Sequence, residues 1–136
     1  MESTEANSSP ENFIKKSVLA ICAAGSDRSR YIADELNNRG YFATNAGVNH
    51  NYNYVTREDL VNVGNVVFSS IYEKKLFDKD KKLKSILDNN GIQIRVINIT
   101  EQDKDLAHNT GDLTSLKKRI AEQLDAIGFK NLKTQR

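Results

Sequence analysis

Two kinds of hydrophobic pattern alternate along the chain. Short apolar runs lie at Lys16–Ala23, without alternation, at Asn65–Ser69 and, with interruptions, at Ile92–Ile99, with a shorter candidate at Tyr41–Asn45. A run of Val, Leu, Ile and Ala bounded by polar residues is what a strand buried on both faces looks like. Between the runs the apolar positions recur at helical spacing. Ile32, Ala33 and Leu36 share one side of a helix that starts near Arg28 and stops at Gly40. Thr56 with Asp59 is a capping signature that opens a short helix reaching Val63. Ile71–Leu87 reads as helical with a break near Asp78–Asp80. Leu113, Leu116, Ile120, Leu124 and Ile127 form the stripe of a final amphipathic helix capped by Asp112. Thr100–Gly111 is polar and reads as a loop.

The order is therefore β-α-β-α-β-α-β-α. It predicts an α/β fold: a four-stranded parallel sheet with helices on both faces. Ligands in such sheets bind beyond the carboxyl ends of the strands. Three chemically rich segments converge there: Cys22–Ser29 after the first strand, 46–55 after the second and 100–111 after the fourth. The expected organisation is a disordered tail over 1–14, one domain over 15–129 and a C-terminal tail over 130–136.

Composition narrows the class. The chain has 136 residues, enough for one ordinary domain. No apolar stretch approaches the roughly 20 residues of a membrane span, and the polar N-terminus does not resemble a secretory signal. The formal net charge of +2 demands neither nucleic acid nor anionic lipid, and neither nucleic acid nor membrane is an expected partner. One cysteine cannot form an internal disulfide, which points to a reducing compartment, the cytoplasm. His50 and His108 with one Cys do not make a metal set, so no metal or other cofactor is expected. Lys74, Lys75, Lys79, Lys81, Lys82 and Lys84 read as a solvated helical face, with a surface for an acidic partner or RNA as the sharper alternative.

The lone cysteine sits in the richest segment, Cys22-Ala-Ala-Gly-Ser-Asp-Arg28-Ser29. An isolated cysteine at a strand end is ordinarily a small hydrophobe. The spacing to Arg28 changes that reading. The thiolate is the nucleophilic form, and a helix N-terminus or a guanidinium favours it. Five intervening residues, Ala23 to Asp27, can turn their N–H groups inward as a phosphate nest, and Gly25 supplies a positive φ. Arg28 offers a planar fork for two phosphoryl oxygens. It is also a cation in a first helical turn, which the helix dipole disfavours. Ser29 can hydrogen-bond the sulfur or cap the helix. Asp27 would repel an anion unless it faces solvent, unless it is instead a proton donor.

Cys-x5-Arg-Ser after a buried first strand resembles the low-molecular-weight protein tyrosine phosphatases, in particular their small divergent members. Asn45-Ala46-Gly47, the stretch Asn65–Lys75 and the stretch Ile94–Asp103 extend the likeness over about residues 17–127. The resemblance implies a phosphatase-type P-loop and hydrolysis of phosphotyrosine, or a related phosphate monoester, through a phosphocysteine. Its partners would be a phosphorylated protein or a small phosphate ester. Cys22 would attack phosphorus. Arg28 and the N–H groups of Ala23, Ala24, Gly25, Ser26, Asp27 and Arg28 would hold the phosphoryl oxygens. Ser29 would tune the sulfur. An acid after the fourth strand would protonate the leaving oxygen, with Asp103 preferred, Glu101 second and Asp105 also present. His50, Tyr52 and Tyr54 would flank the substrate. The chain departs from the family pattern at Gly25, where Asn is frequent, at Arg30, where Pro follows the serine, and in lacking an Asp-Pro-Tyr acid motif.

Two other classes compete. A phosphate-binding module on the same fold needs the nest but no acid. A phosphocysteine carrier, as in sugar-transport IIB subunits, also places a Cys loop after a first strand, but Arg28 suits a hydrolytic site better. Arsenate reduction by a thiol relay would need a second cysteine.

Overall fold

A computed structural model describes residues 10–133. Strands β1 (Ser17–Cys22), β2 (Phe42–Gly47), β3 (Asn65–Phe68) and β4 (Gln93–Val96) form one parallel sheet in the order β2-β1-β3-β4. Every residue of β1 and β3 is buried, as their apolar runs require. Alternate residues of β1 serve opposite faces. Val18 and Ala20 join a core with Ile32, Leu36, Ile120 and Leu124. Leu19 and Ile21 join the other core with Leu60, Phe77, Leu83 and Leu87.

The helices that supply those cores cover both faces. On one side lie α2 (Arg28–Asn38) and α7 (Leu113–Ala126). On the other lie α3 (Arg57–Leu60), α4 (Ile71–Phe77) and α5 (Lys81–Asn89). Asp78, Lys79 and Asp80 make the expected break: Asp80 caps α5 by accepting from the Leu83 N–H. Among the described residues no helix is long and apolar enough to cross a membrane.

Two expectations are corrected. Residues 10–14, expected within a disordered tail, belong to helix α1 (Pro10–Lys16). Proline at a first helical position lacks only an N–H that would be unpaired there. Residues 1–9 of that tail lie outside the described residues. In the C-terminal tail the Leu132 N–H donates to the Arg39 carbonyl at 2.8 Å; the last three residues lie outside the described ones. The segment Thr100–Gly111 is a helix, α6 (Glu101–Thr110), not a loop. Thr100 and Asp103 close a capping box at its start, and Gly111 ends it at φ 75°.

The strand order has a functional consequence. From β1 the chain goes outward to β2, then crosses back to β3. The carboxyl ends of β1 and β3 thus flank the point where the winding reverses, the place where open α/β sheets bind ligands.

Candidate functional site

Cys22 is the last residue of β1 and is 2% exposed. The Gly25 N–H donates to its Sγ at 3.2 Å, so the chain turns back over the sulfur. The thiol donates to Ser29 Oγ, also at 3.2 Å. Once the thiol loses its proton, that bond requires the hydroxyl hydrogen instead.

The turn depends on two glycines. Gly25 has φ +69°, and a Cβ there would lie 2.6 Å from the backbone of Ala46 and Gly47. A Cβ on Gly47 would meet the Ala23 oxygen, the Ala24 carbonyl carbon and the Gly25 nitrogen, each at 2.6 Å. The loops after β1 and β2 are therefore in direct backbone contact. Asn45 Nδ2 and Asn53 Nδ2 donate to the Gly25 carbonyl at 2.6 and 2.9 Å. The N–H groups of Val48 and Asn49 donate to the Ala23 carbonyl at 2.9 and 2.8 Å.

The carbonyls of Ala23 and Gly25 are thus tied down, while of the loop amides from Ala24 to Arg28 only that of Gly25 has a partner among the described residues, the sulfur. Among the described residues, the N–H groups of Ala24, Ser26, Asp27 and Arg28 have no protein acceptor. The Asp27 side chain makes no cap bond to α2. It faces Lys104 instead, at 3.7 Å. A row of unpaired donors at the start of an eleven-residue helix is chemically suited to hold an anion.

Arg28 opens α2 and is 3% exposed. Its Nη1 donates to the Ile99 carbonyl at 3.0 Å, to Glu73 Oε1 at 3.2 Å and to Ser69 Oγ at 3.4 Å. Its Nη2 donates to Glu73 Oε2 at 3.4 Å and lies 3.1 Å from Glu101 Oε1. Among the described residues its Nε has no protein acceptor. Glu73 is equally buried and accepts from Ser69 Oγ and Ser70 Oγ. A buried ion pair persists only when its remaining lone pairs and protons are satisfied, and here the two serines do that. The guanidinium thereby joins the ends of β1, β3 and β4.

Glu101, the first residue of α6, is half exposed, at 52%. Its second oxygen lies 2.8 Å from Lys104 Nζ, which also pairs with Asp105 at 2.9 Å. Those bonds to Glu101 and Asp105 hold the Lys104 ammonium well above the usual lysine range. A cleft of about 510 Å³ opens over this cluster, with Ala23, Ala24 and Arg28 on one side and Ser70, Tyr72, Thr100 and Glu101 on the other.

Asp103, the acid preferred from the sequence, does not line this cleft. Oδ2 of its carboxylate accepts from the Thr100 N–H at 2.8 Å, and Oδ1 pairs with Arg119 at 3.1 Å. The carboxylate is committed to capping α6. The second-ranked acid, Glu101, lies on Arg28 instead. The substrate-flanking trio is also displaced from the cleft. His50 stacks on Tyr54 with ring centroids 3.9 Å apart, and both line a separate cavity with Asp80. The Tyr54 hydroxyl donates to Asp80 Oδ2 at 2.7 Å. Burial and that bond push the Tyr54 phenol up to about 12, and the same bond, with help from the α5 amides, holds Asp80 below its usual value. Tyr52 is exposed. The aromatic residue at the cleft is Tyr72.

Sequence reasoning missed Glu73, Tyr72 and Asn53. Glu73 carried a signal: Ser70 with Glu73 is itself a helix-start spacing, directly after a buried strand. Among the described residues no group of three or more His, Cys, Asp or Glu could hold a metal ion. No family model, curated protein or solved structure matches the chain.

Proposed function

We propose that the protein is a cysteine-dependent phosphatase that hydrolyses phosphotyrosine or a related phosphate monoester. One observation carries this reading. The Cys22 sulfur lies under a loop in which the N–H groups of Ala24, Ser26, Asp27 and Arg28 have no protein acceptor among the described residues, 3.2 Å from the Ser29 hydroxyl, beside a cleft that also presents Arg28 and the carboxylate of Glu101.

In the first step the Cys22 thiolate attacks phosphorus and the P–O bond to the leaving group breaks. The leaving oxygen takes a proton from the Glu101 carboxylic acid. The loop amides and Arg28 hold the three phosphoryl oxygens as charge develops on them. In the second step water attacks the phosphocysteine and gives a proton to the Glu101 carboxylate. The P–S bond breaks, returning the thiolate and releasing phosphate. Ser29 donates to sulfur as it departs. Glu101 replaces Asp103 in this scheme because of where each carboxylate lies. The chemistry needs no cofactor, and a reactive thiolate suits the reducing cytoplasm.

The test is turnover of an aryl phosphate. The wild type should hydrolyse it with vanadate as an inhibitor, and Cys22→Ser should lose activity by at least about a thousandfold. Phosphate binding without turnover would favour the second reading, a phosphate- or phosphoprotein-binding module. The observation on that side is the double engagement of Arg28 by Glu73 and Glu101.

A further inference from the structure

Arg28 has two carboxylate partners of very different character. Glu73 is buried, meets both terminal guanidinium nitrogens and accepts from two serine hydroxyls. Removing it would strand two hydroxyls and a buried cation, so Glu73 stays. Glu101 is half exposed and touches Arg28 through one oxygen only. Its other oxygen already rests on Lys104, 2.8 Å away. Lys104 in turn is held by Asp105 and faces Asp27 in the loop beside Cys22.

We infer that Glu101 occupies the place at Arg28 that an anionic oxygen of the ligand takes, and that it sets the affinity of the site by being displaced onto Lys104. This rests on the reading of Cys22–Ser29 as an anion cradle and adds what that reading lacks, the group the anion must replace. An incoming phosphate finds unpaired amides on the loop side and an unpaired Arg28 Nε. At Nη2 it finds Glu101. Two anions cannot share that nitrogen at close range without repulsion, so Glu101 either moves onto Lys104 as a carboxylate, as with inorganic phosphate, or takes up the proton that the leaving oxygen of an ester then receives. The yielding partner is the solvated one, and Lys104 gives it somewhere to go. Glu101 also begins α6 beside the capping box of Thr100 and Asp103, so its departure moves the first turn of that helix while the cap remains.

The consequence is a crossed effect of one substitution. Glu101→Gln removes both the competitor and its charge, so inorganic phosphate should bind more tightly, by on the order of tenfold after solvent screening. The same variant should turn over an aryl phosphate more slowly, because its proton donor is gone. Lys104→Met removes the resting place of Glu101 and should weaken phosphate binding several-fold. Glu101 is half exposed but the Lys104 side chain is only 14% exposed, and thermal melts will report whether the variants fold. Calorimetric titration with inorganic phosphate reads the affinities, and amide NMR of Thr100–Asp103 during the titration reads the displacement. Phosphate affinity unchanged or reduced in Glu101→Gln, or unmoved α6 amides on saturation, overturns the inference while leaving the cradle intact. A wild-type protein that binds no phosphate overturns the cradle and this inference together.

Discussion

Helix α2 has a buried arginine at each end, and the two behave differently. Arg39 follows the last turn. Its Nε donates to Glu35, its Nη1 to Asp125 and the Phe129 carbonyl, and its Nη2 to the Ala121 carbonyl. Each guanidinium nitrogen is used, the helix dipole favours a cation there, and the bonds tie α2 to α7. Arg28 sits at the opposite end, where the dipole disfavours it. It keeps Nε unpaired, faces a cleft and shares Nη2 with a half-exposed carboxylate. Burial and ion pairing alone do not separate the two arginines. The distinction lies in the unused donor and the replaceable partner.

Exchanging each arginine for lysine tests that distinction most strongly. Lysine keeps the charge and loses the fork. Arg28→Lys should abolish phosphate binding and cut aryl-phosphate turnover at least about a hundredfold. Arg39→Lys should leave phosphate affinity within about twofold, while breaking its buried network lowers stability by about 2–4 kcal/mol in urea unfolding. Equal loss of phosphate affinity in both would erase the contrast.

A smaller effect separates the two acids at the start of α6. Glu101→Gln should slow hydrolysis by about a hundredfold or more, most for poor leaving groups. Asp103→Asn should cost about 1 kcal/mol of stability through the cap and leave the leaving-group dependence unchanged. A larger rate loss from Asp103→Asn would return the proton donor to the residue first expected from the sequence.

The smallest expected effect belongs to the other cavity. Tyr54 titrates near 12 in the fold, so the stability it contributes is full below the ordinary tyrosine value of 10 and is lost as pH rises through 12. Asp80 is depressed, so its share is present above its ordinary 3.8 and lost as pH falls through its lower folded value. Tyr54→Phe should therefore lower stability by about 1 kcal/mol near neutral pH. The gap to wild type should close at both pH extremes, with turnover unchanged.

Strands β1 and β3 were legible because they are apolar runs that no solvated segment would carry, whereas β4, where Ile94 and Val96 alternate with Gln93 and Arg95, has no fully buried residue. Helix α6 was not, because its polar surface shows only Ala107 to the core. Its start signal, Thr100 with Asp103, has the same form as the Thr56–Asp59 pair that did reveal α3. The preference for Asp103 over Glu101 had the same origin: a capping carboxylate and one that faces a cleft look alike until the helix they open is recognised. Glu73 went unread because charge on a lysine-rich helix suggests solvent. The serines that bury it are adjacent in sequence, but the arginine it meets is 45 residues away.

The contact between Gly25 and Gly47 reaches beyond the turn it permits. Strand β2 lies at the sheet edge, and its pairing aligns Gly47 with Cys22. A slip of one residue would present Ala46 or Val48 to the loop, where a side chain would collide with its backbone. The anion loop therefore acts as a proofreader of strand alignment. Only the correctly paired edge lets it close, so a misthreaded copy of this chain loses its sheet register and its chemistry in the same error.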